Sequence, residues 1–299
     1  MHTSLAVQKQ KNIMKTWALM TAFFLVVMAL GFFASQATGN PSFLYVSVLF
    51  SVGMNLYAYW FSDSVAIRSS GAIPADEVTY KDLHALVTRL AQSMHIPKPK
   101  VFIINDDAPN AFATGRNPQH ASVAATTGIL LRLSPSELEG VMAHELSHVQ
   151  NRDILVMTIA VVLAGFVSLL ANMFMRMSYS GGQSGDRQQS GLIGIISMIV
   201  AFIVAPLAAQ LLQLAVSRKR EYLADASGAL VTHHPEHLAS ALEKIRDYSQ
   251  PMEKASYATA HLFISNPFGA HPAGKFLSGL FATHPPLEDR IAILRTIKN

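Results

Sequence analysis

The stretch Ala143–His148, with the sequence AHELSH, lies in a segment that has a well-marked helix start. Ser134 is a good N-cap residue, and Pro135 suits the first helical position. Glu137 follows the N-cap by three residues and completes a capping box. The pattern therefore predicts a helix that begins near residue 135 and carries this stretch in its later turns.

His144 and His148 are four residues apart, so in a helix they project from nearly the same face, one turn apart. Two imidazoles at this spacing can bind one metal ion. Glu145 falls in the apolar stripe, where a carboxylate without a partner costs several kcal/mol. The stretch therefore predicts a metal centre, and the alternative is a chance match on an ordinary amphipathic helix.

The composition is typical of a membrane protein. Of the 299 residues, 51% are hydrophobic and only 14% are charged, well below the quarter or so that is usual in soluble proteins. The net charge of +4 comes with basic residues beside apolar runs, which indicates membrane orientation rather than nucleic-acid binding. The chain has no cysteine, which excludes disulfides, thiol nucleophiles and cysteine-bound zinc, and leaves histidine and carboxylates as strong metal ligands.

Two apolar runs near the N-terminus, Trp17–Ala34 and Phe43–Phe61, predict a transmembrane hairpin. Lys9, Lys11 and Lys15 precede it, which places the N-terminus and everything after residue 61 in the cytoplasm. The alternative is a cleaved signal peptide. We disfavour it because the first run exceeds a usual signal core and a second run follows almost at once.

Two further runs, Ile154–Phe174 and Leu192–Ala215, predict a second hairpin, with buried helices of a soluble core as the alternative. Arg218–Arg220 follow where the fourth helix would return to the cytoplasm. The prediction is thus a mostly α fold with a small β-sheet, four apolar helices and a cytoplasmic α+β zincin-like domain. Its parts are an N-terminal tail and hairpin (1–61), a first catalytic part (62–153), a second hairpin (154–215) and a second catalytic part (216–299).

Residues 62–153 have the pattern of a soluble α+β unit. Tyr80–Met94 has helical periodicity, and Lys98–Asn105 is typical of a strand. A second strand is predicted at 110–115 and a third at Ala121–Leu133, broken by Gly128. The chain after residue 221 is predicted to form helices and loops.

A third metal ligand is needed, because catalytic zinc usually has three protein ligands. Glu221 and Asp225 share a helix face, so one could bind the metal while the other hydrogen-bonds a ligating imidazole. The alternative is a solvated acidic pair that neutralises the basic residues just before it. His233, His234 and His237 lie around a proline, and we interpret them as a solvated turn rather than a second metal site.

Four motifs together resemble the HtpX-type membrane zinc metallopeptidases, relatives of the CAAX prenyl-protein peptidases. They are Asn110–Gly115 (NAFATG), His144–His148 (HELSH), Arg220–Asp225 (REYLAD) and Thr283–Pro286 (THPP). The resemblance implies that His144, His148 and Glu221 bind one Zn²⁺ per chain. It also implies that Glu145 is the catalytic base and that Asp225 orients a ligand histidine.

Further site residues are predicted, and each functional interpretation has a structural alternative. By resemblance, His284 is the candidate donor to the oxyanion, and Arg290 supports it; the alternative for His284 is a surface turn. The segment Asn110, Ala111, Phe112 and Ala113 is predicted to form an exposed edge strand that pairs with extended substrate. From composition alone, an ordinary internal hairpin fits this segment equally well.

The resemblance implies a role in degrading misfolded or damaged membrane proteins at the bacterial inner membrane, as in stress response and quality control. Its partners are then protein substrates and the lipid bilayer, with no nucleic acid. One rival is an intramembrane peptidase, disfavoured because Glu137, Glu139 and Gln150 make the metal helix too polar to span. Another is a non-enzymatic scaffold with a structural metal, which would need a fourth protein ligand that is not apparent.

Overall fold

A computed structural model describes residues 5–160, 162–163, 166, 218–254, 259–268 and 285–297. The described part is mostly helical, with one small mixed sheet. Its helices are α1 (Leu5–Thr38), α2 (Ser42–Ser69), α3 (Lys81–Ser93), α4 (Thr127–Arg132), α5 (Pro135–Gln150), α6 (Arg218–Thr232), α7 (Pro235–Asp247) and α8 (Leu287–Thr296). Its strands are β1 (Ile73–Pro74), β2 (Lys100–Ile104), β3 (Ala111–Gly115) and β4 (Ala121–Thr126).

Helices α1 and α2 pack side by side and are joined by a turn at residues 39–41. Gln10–Gln36 and Ser42–Ser69 are each long and apolar enough to cross a bilayer, judged by length and composition. They are the two candidate spans in the described part of the chain, against four predicted. The third predicted run is described only at residues 154–160, 162–163 and 166, and the fourth lies outside the described residues.

The sheet has the strand order β1-β2-β4-β3, with β2 and β4 parallel and the other two pairs antiparallel. The predicted helix at 80–94 and the strands at 98–105 and 110–115 correspond to α3, β2 and β3. The third predicted strand is only half right, because the chain turns into α4 at Thr127. Thr126 causes this change: its side-chain oxygen accepts the N–H of Ile129 and caps a new helix.

Strand β3 lies at the sheet edge, but the predicted exposure is wrong, since all five of its residues are buried. The segment 259–268 covers it. The carbonyl of Ala111 accepts a hydrogen bond from the N–H of Ile264 (3.0 Å), and the ring of Phe112 packs edge-on against that of Phe263 at 5.1 Å between centroids. This covering segment is remote in sequence, so local pattern could not predict it.

Helix α5 begins with the predicted capping box between Ser134 and Glu137. The Glu137 carboxylate also accepts hydrogen bonds from Ser240 Oγ (2.6 Å) and Lys244 Nζ (2.7 Å) of α7. Burial alone would raise the pKa of Glu137, yet these donors lower it to about 2. One side chain therefore caps α5 and also holds α7 against it.

Replacing Glu137 by Gln should destabilise the fold in a pH-dependent way. A carboxylate with a lowered pKa stabilises the folded state above its ordinary pKa of 4.5 and loses this effect as pH falls toward about 2. At pH 7 we expect Glu137→Gln to lose about 2 kcal/mol, or roughly 5 °C in the thermal midpoint measured in detergent. The difference from wild type should shrink as pH drops below 4.5.

The matched control is Glu139→Gln on the same helix, because Glu139 pairs with Arg89, whose side chain is 62% exposed. Such a surface pair should contribute less than about 1 kcal/mol. Equal midpoints for both variants at pH 7 would contradict the assigned role of Glu137.

Candidate metal centre

Helix α5 presents two imidazoles to one point inside the protein. His144 and His148 are both buried, and their Nε2 atoms are 3.2 Å apart. Their rings are perpendicular, with centroids 4.8 Å apart. The i, i+4 spacing thus produces the convergence that the sequence predicts.

Helix α6 brings a carboxylate to the same point. Glu221 Oε1 lies 3.5 Å from His148 Nε2, and Glu221 Oε2 lies 3.8 Å from His144 Nε2. One ligand atom from each residue falls within 4.8 Å of the others. For bonds of about 2.1 Å around a tetrahedral zinc ion, neighbouring ligand atoms should be about 3.4 Å apart, so the spacing of the three donors fits the ion.

A glycine allows α6 to approach α5 this closely. A Cβ atom at Gly228 would lie 3.0 Å from the backbone nitrogen of His144 and 3.2 Å from the carbonyl carbon of Ala143. Any side chain at this position would push the two backbones apart by a few tenths of an ångström. Gly228 and Glu221 lie two turns apart on α6, so the crossing positions the carboxylate.

The outer nitrogens of both imidazoles face carboxylates. Nδ1 of His144 lies 2.9 Å from Asp225 Oδ1, and Nδ1 of His148 lies 3.1 Å from Asp153 Oδ2. A protonated Nδ1 donates at these distances, which leaves the Nε2 lone pairs directed at the shared point. The carboxylates therefore select the tautomer that a metal ligand requires.

Asp153 reaches His148 through a tight turn. Helix α5 ends at Gln150, and Arg152 then adopts a left-handed conformation with φ of +59°. A non-glycine residue rarely takes this conformation, which costs about 1–2 kcal/mol. After this turn the next helical segment, residues 153–160, begins with Asp153 beside the imidazole five positions earlier.

Two buried arginines complete the cluster. Arg290 of α8 donates from Nε and Nη2 to the two oxygens of Asp225, at 2.9 and 2.7 Å, and its Nη1 lies 3.7 Å from Glu221 Oε2. Arg220 Nε lies 4.0 Å from Asp153 Oδ1. The bidentate geometry fixes Asp225, and through it the ring plane of His144.

Burial and neighbouring charges shift the pKa values in this cluster. Burial raises the pKa of Glu145 to about 8, and the negative charge of Glu221 adds to the effect. Burial lowers the pKa of His144 to about 4, with Arg290 acting in the same direction. Burial would also lower the pKa of His148, but Asp153 and Glu221 raise it to about 9.

The charges of the cluster are close to balanced. Among the described residues, the buried carboxylates of this cluster are those of Glu145, Asp153, Glu221 and Asp225. At neutral pH the raised pKa values keep Glu145 protonated and His148 charged, so three ionised carboxylates face His148 and the guanidinium groups of Arg220 and Arg290. A divalent cation held by the three donors would favour the ionised form of Glu145 and the neutral form of His148, because metal ligands bind in their deprotonated form.

The structure brings together most of the predicted site residues. Glu145, Asp225 and Arg290 lie beside the three convergent donors, whereas His284 lies outside the described residues.

Sequence reasoning missed the contact of Asp153 with His148. The sequence did contain a signal for this contact: Asp153 directly precedes an apolar run, where a buried carboxylate needs a partner. The other group that could hold a metal within the described residues, His234, Glu236 and His237, is at the surface, in the predicted solvated turn.

Comparison with known proteins identifies the family. The sequence model of peptidase family M48 matches residues 77–298, which is well over half of the chain. The chain belongs to peptidase family M48. It is therefore a metallopeptidase, a hydrolase of peptide bonds, as the motif resemblance predicted. Family M48 enzymes depend on zinc in general.

Curated relatives cover almost the whole chain. The protein named "Protease HtpX homolog" of Caldanaerobacter subterraneus subsp. tengcongensis is 44% identical over 292 residues, which is 96% of each chain. The protein of the same name from Methylibium petroleiphilum is 46% identical over 288 residues, or 95% of this chain and 96% of the relative.

A solved structure shares the fold. The crystal structure of S. mikatae Ste24p matches with a TM-score of 0.51 at 19% identity. The match covers 96% of this M48 chain and 66% of the Ste24p chain, so this protein spans just under two thirds of that neighbour. At this identity the likeness concerns architecture alone.

Replacing Gly228 by Val should separate α6 from α5 and weaken metal binding. The new side chain would meet backbone atoms 3.0 Å away that cannot rotate aside, and such overpacking costs about 1–3 kcal/mol. We expect less than one zinc ion per purified chain and a lower thermal midpoint. Leu230→Val is the control, because Leu230 is 73% exposed on the same helix; equal zinc content in both variants would contradict the role of the crossing.

Proposed function

We propose that this protein is a membrane-anchored zinc endopeptidase that cleaves misfolded or damaged membrane proteins at the cytoplasmic face of the bacterial inner membrane. The observation that carries the proposal is the convergence of His144, His148 and Glu221, with Glu145 buried beside them. In this proposal the catalytic unit consists of residues 62–153 and 216–299. Residues 1–61 and 154–215 anchor it, with four spans in all.

His144, His148 and Glu221 would hold one zinc ion, through two Nε2 atoms and the Glu221 carboxylate. When bound, zinc polarises the scissile carbonyl and lowers the pKa of a water molecule toward ~7. Asp225 and Asp153 keep the two imidazoles in the required tautomer and orientation. Arg290 holds Asp225 in place and thereby supports the ligand set.

Glu145 is the proposed general base. Burial raises its pKa to about 8, which gives this carboxylate a high affinity for the proton that water must lose. The backbone N–H of Ala113 hydrogen-bonds to it and fixes its position. Glu145 then passes the proton to the leaving amine. His284 remains the proposed donor to the oxyanion, with Arg290 supporting it through the same cluster.

The strand β3 is the proposed platform for substrate. Its residues Ala111 and Ala113, with Asn110 and Phe112, lie at the sheet edge that runs beside Glu145. Main-chain pairing along such an edge depends little on side chains, which suits an enzyme that removes many different damaged proteins. The Ala111 carbonyl is bonded to Ile264 and the Ala113 N–H to Glu145. Substrate would therefore pair through the Ala113 carbonyl or displace one of these contacts.

Aromatic residues support a membrane boundary near the catalytic unit. Trp17 begins the first apolar run and Trp60 lies at the end of the second. Both are about half exposed or more, and the hairpin places them at the same end of the two runs. Tryptophan is enriched at membrane interfaces. The guanidinium of Arg116, just after β3, lies 4.5 Å from the Trp60 ring centroid. The catalytic unit would thus sit directly against the lipid headgroups.

Glu145→Gln should retain zinc and lose proteolysis. The amide cannot accept the proton, so we expect casein digestion to fall by at least about 100-fold, while elemental analysis still finds one zinc per chain. Glu139→Gln on the outer face of the same helix is the control and should leave both values unchanged. Unchanged casein cleavage by Glu145→Gln would exclude the proposed mechanism.

Glu221→Ala should lose zinc. The two imidazoles alone leave the site one ligand short, so we expect well below one zinc per chain. Glu236→Ala, in the surface histidine group, is the control and should keep full occupancy. Full zinc content in Glu221→Ala would place the third ligand elsewhere.

A further inference from the structure

Helix α1 carries a buried polar face at its N-terminal end. Asn12 is 1% exposed and Thr16 is 3% exposed, in a helix that is otherwise largely apolar. The hydroxyl of Thr16 donates to the carbonyl of Asn12 (3.0 Å), so Thr16 satisfies its own hydroxyl within the helix. The amide of Asn12 instead points away from α1, into the catalytic unit.

The Asn12 amide contacts the turn that follows α5. Its Nδ2 donates to the carbonyl of Asn151 at 3.2 Å and to Oδ1 of Asp153. Its Oδ1 lies 3.5 Å from Nη1 of Arg220, at the start of α6. A single side chain of the first membrane helix therefore contacts the turn after α5 and the start of α6, the two helices that supply the metal-binding donors.

Asp153 is a bridge between Asn12 and the metal centre. Its carboxylate is fully buried. Oδ2 faces Nδ1 of His148 at 3.1 Å, while Oδ1 accepts from Asn12. The rotation of the carboxylate is set by both contacts at once. Since Oδ2 sets the plane of the His148 ring, the position of Asn12 is transmitted to Nε2 on the opposite side of that ring.

We propose that Asn12 is a positioning residue for the metal ligand His148, acting through Asp153, so that docking of α1 and zinc binding stabilise each other. This inference rests on the proposed function in one respect, that His148 binds zinc. The partners that orient a ligating histidine change metal affinity by 10–100-fold in typical sites. Because coupling of binding equilibria is reciprocal, bound zinc should also strengthen the docking of the N-terminal part of α1.

The test compares Asn12→Leu with wild type in the purified full chain. Leucine has the same branching at Cγ as asparagine but cannot donate to Asp153. We expect zinc affinity, measured by competition with a chelator, to fall about 10-fold. The visible absorption of the cobalt-substituted chain should also change, since it reports the geometry of the ligand atoms and not the stability of the fold.

Asn55→Leu is the matched control. Asn55 also lies in the membrane hairpin and also donates its amide to a backbone carbonyl, that of Met20 (3.2 Å), but contacts no residue of the cluster. It should keep wild-type zinc affinity and cobalt spectrum. In an Asp153→Ala background, Asn12→Leu should have no further effect, because the bridge through which it acts is gone.

Two outcomes overturn this inference but leave the proposed function intact. In the first, wild type binds zinc and Asn12→Leu binds it equally well. In the second, Asn12→Leu still lowers zinc affinity in the Asp153→Ala background. If wild type binds no zinc, the proposed function fails as well. If Asn12→Leu fails to fold, the coupling is tested by measuring hydrogen exchange of the wild-type chain with and without zinc. Zinc should slow exchange of the amides at residues 9–16, and exchange that zinc leaves unchanged there would refute the coupling.

Discussion

The structure depends on giving every buried charge a partner where four acidic side chains lie together. The carboxylates of Glu145, Asp153, Glu221 and Asp225 lie in the interior beside the guanidinium groups of Arg220 and Arg290. Such a cluster is unfavourable unless every charge has a partner. The three convergent donors could hold a divalent cation within this cluster, and the family membership identifies the chemistry that such a cation serves.

The members of the cluster come from four separate parts of the fold. Helix α5 contributes the imidazoles and Glu145, the turn after it contributes Asp153, and α6 and α8 contribute Glu221 and Arg290. Gly228 permits the close crossing of α5 and α6. The first membrane helix reaches the same cluster through Asn12, so anchoring and metal binding share one network of contacts.

Local signals in the sequence predicted much of this arrangement. The capping box marked the start of α5, alternation and periodicity marked α3, β2 and β3, and apolar length marked the first hairpin. Prediction failed where the local structure or burial of a segment depends on contacts that the local pattern does not reveal. The edge strand is buried because the segment 259–268 covers it, and the third predicted strand becomes α4 because the Thr126 hydroxyl caps a helix there.

By itself, the sequence determined that His144 and His148 face one point, because helical geometry depends only on a four-residue spacing. It also determined that Glu221 and Asp225 share a face. Spacing alone left open which of those two acids binds the metal, and the motif resemblance assigned that role to Glu221. Only the tertiary structure decided how the side chains meet: Glu221 lies near the Nε2 atoms, Asp225 near Nδ1 of His144, and Asp153 and Asn12 complete the arrangement. The physical reason is that such pairings depend on how helices cross, and helix crossings are set by packing between segments that are distant in the chain.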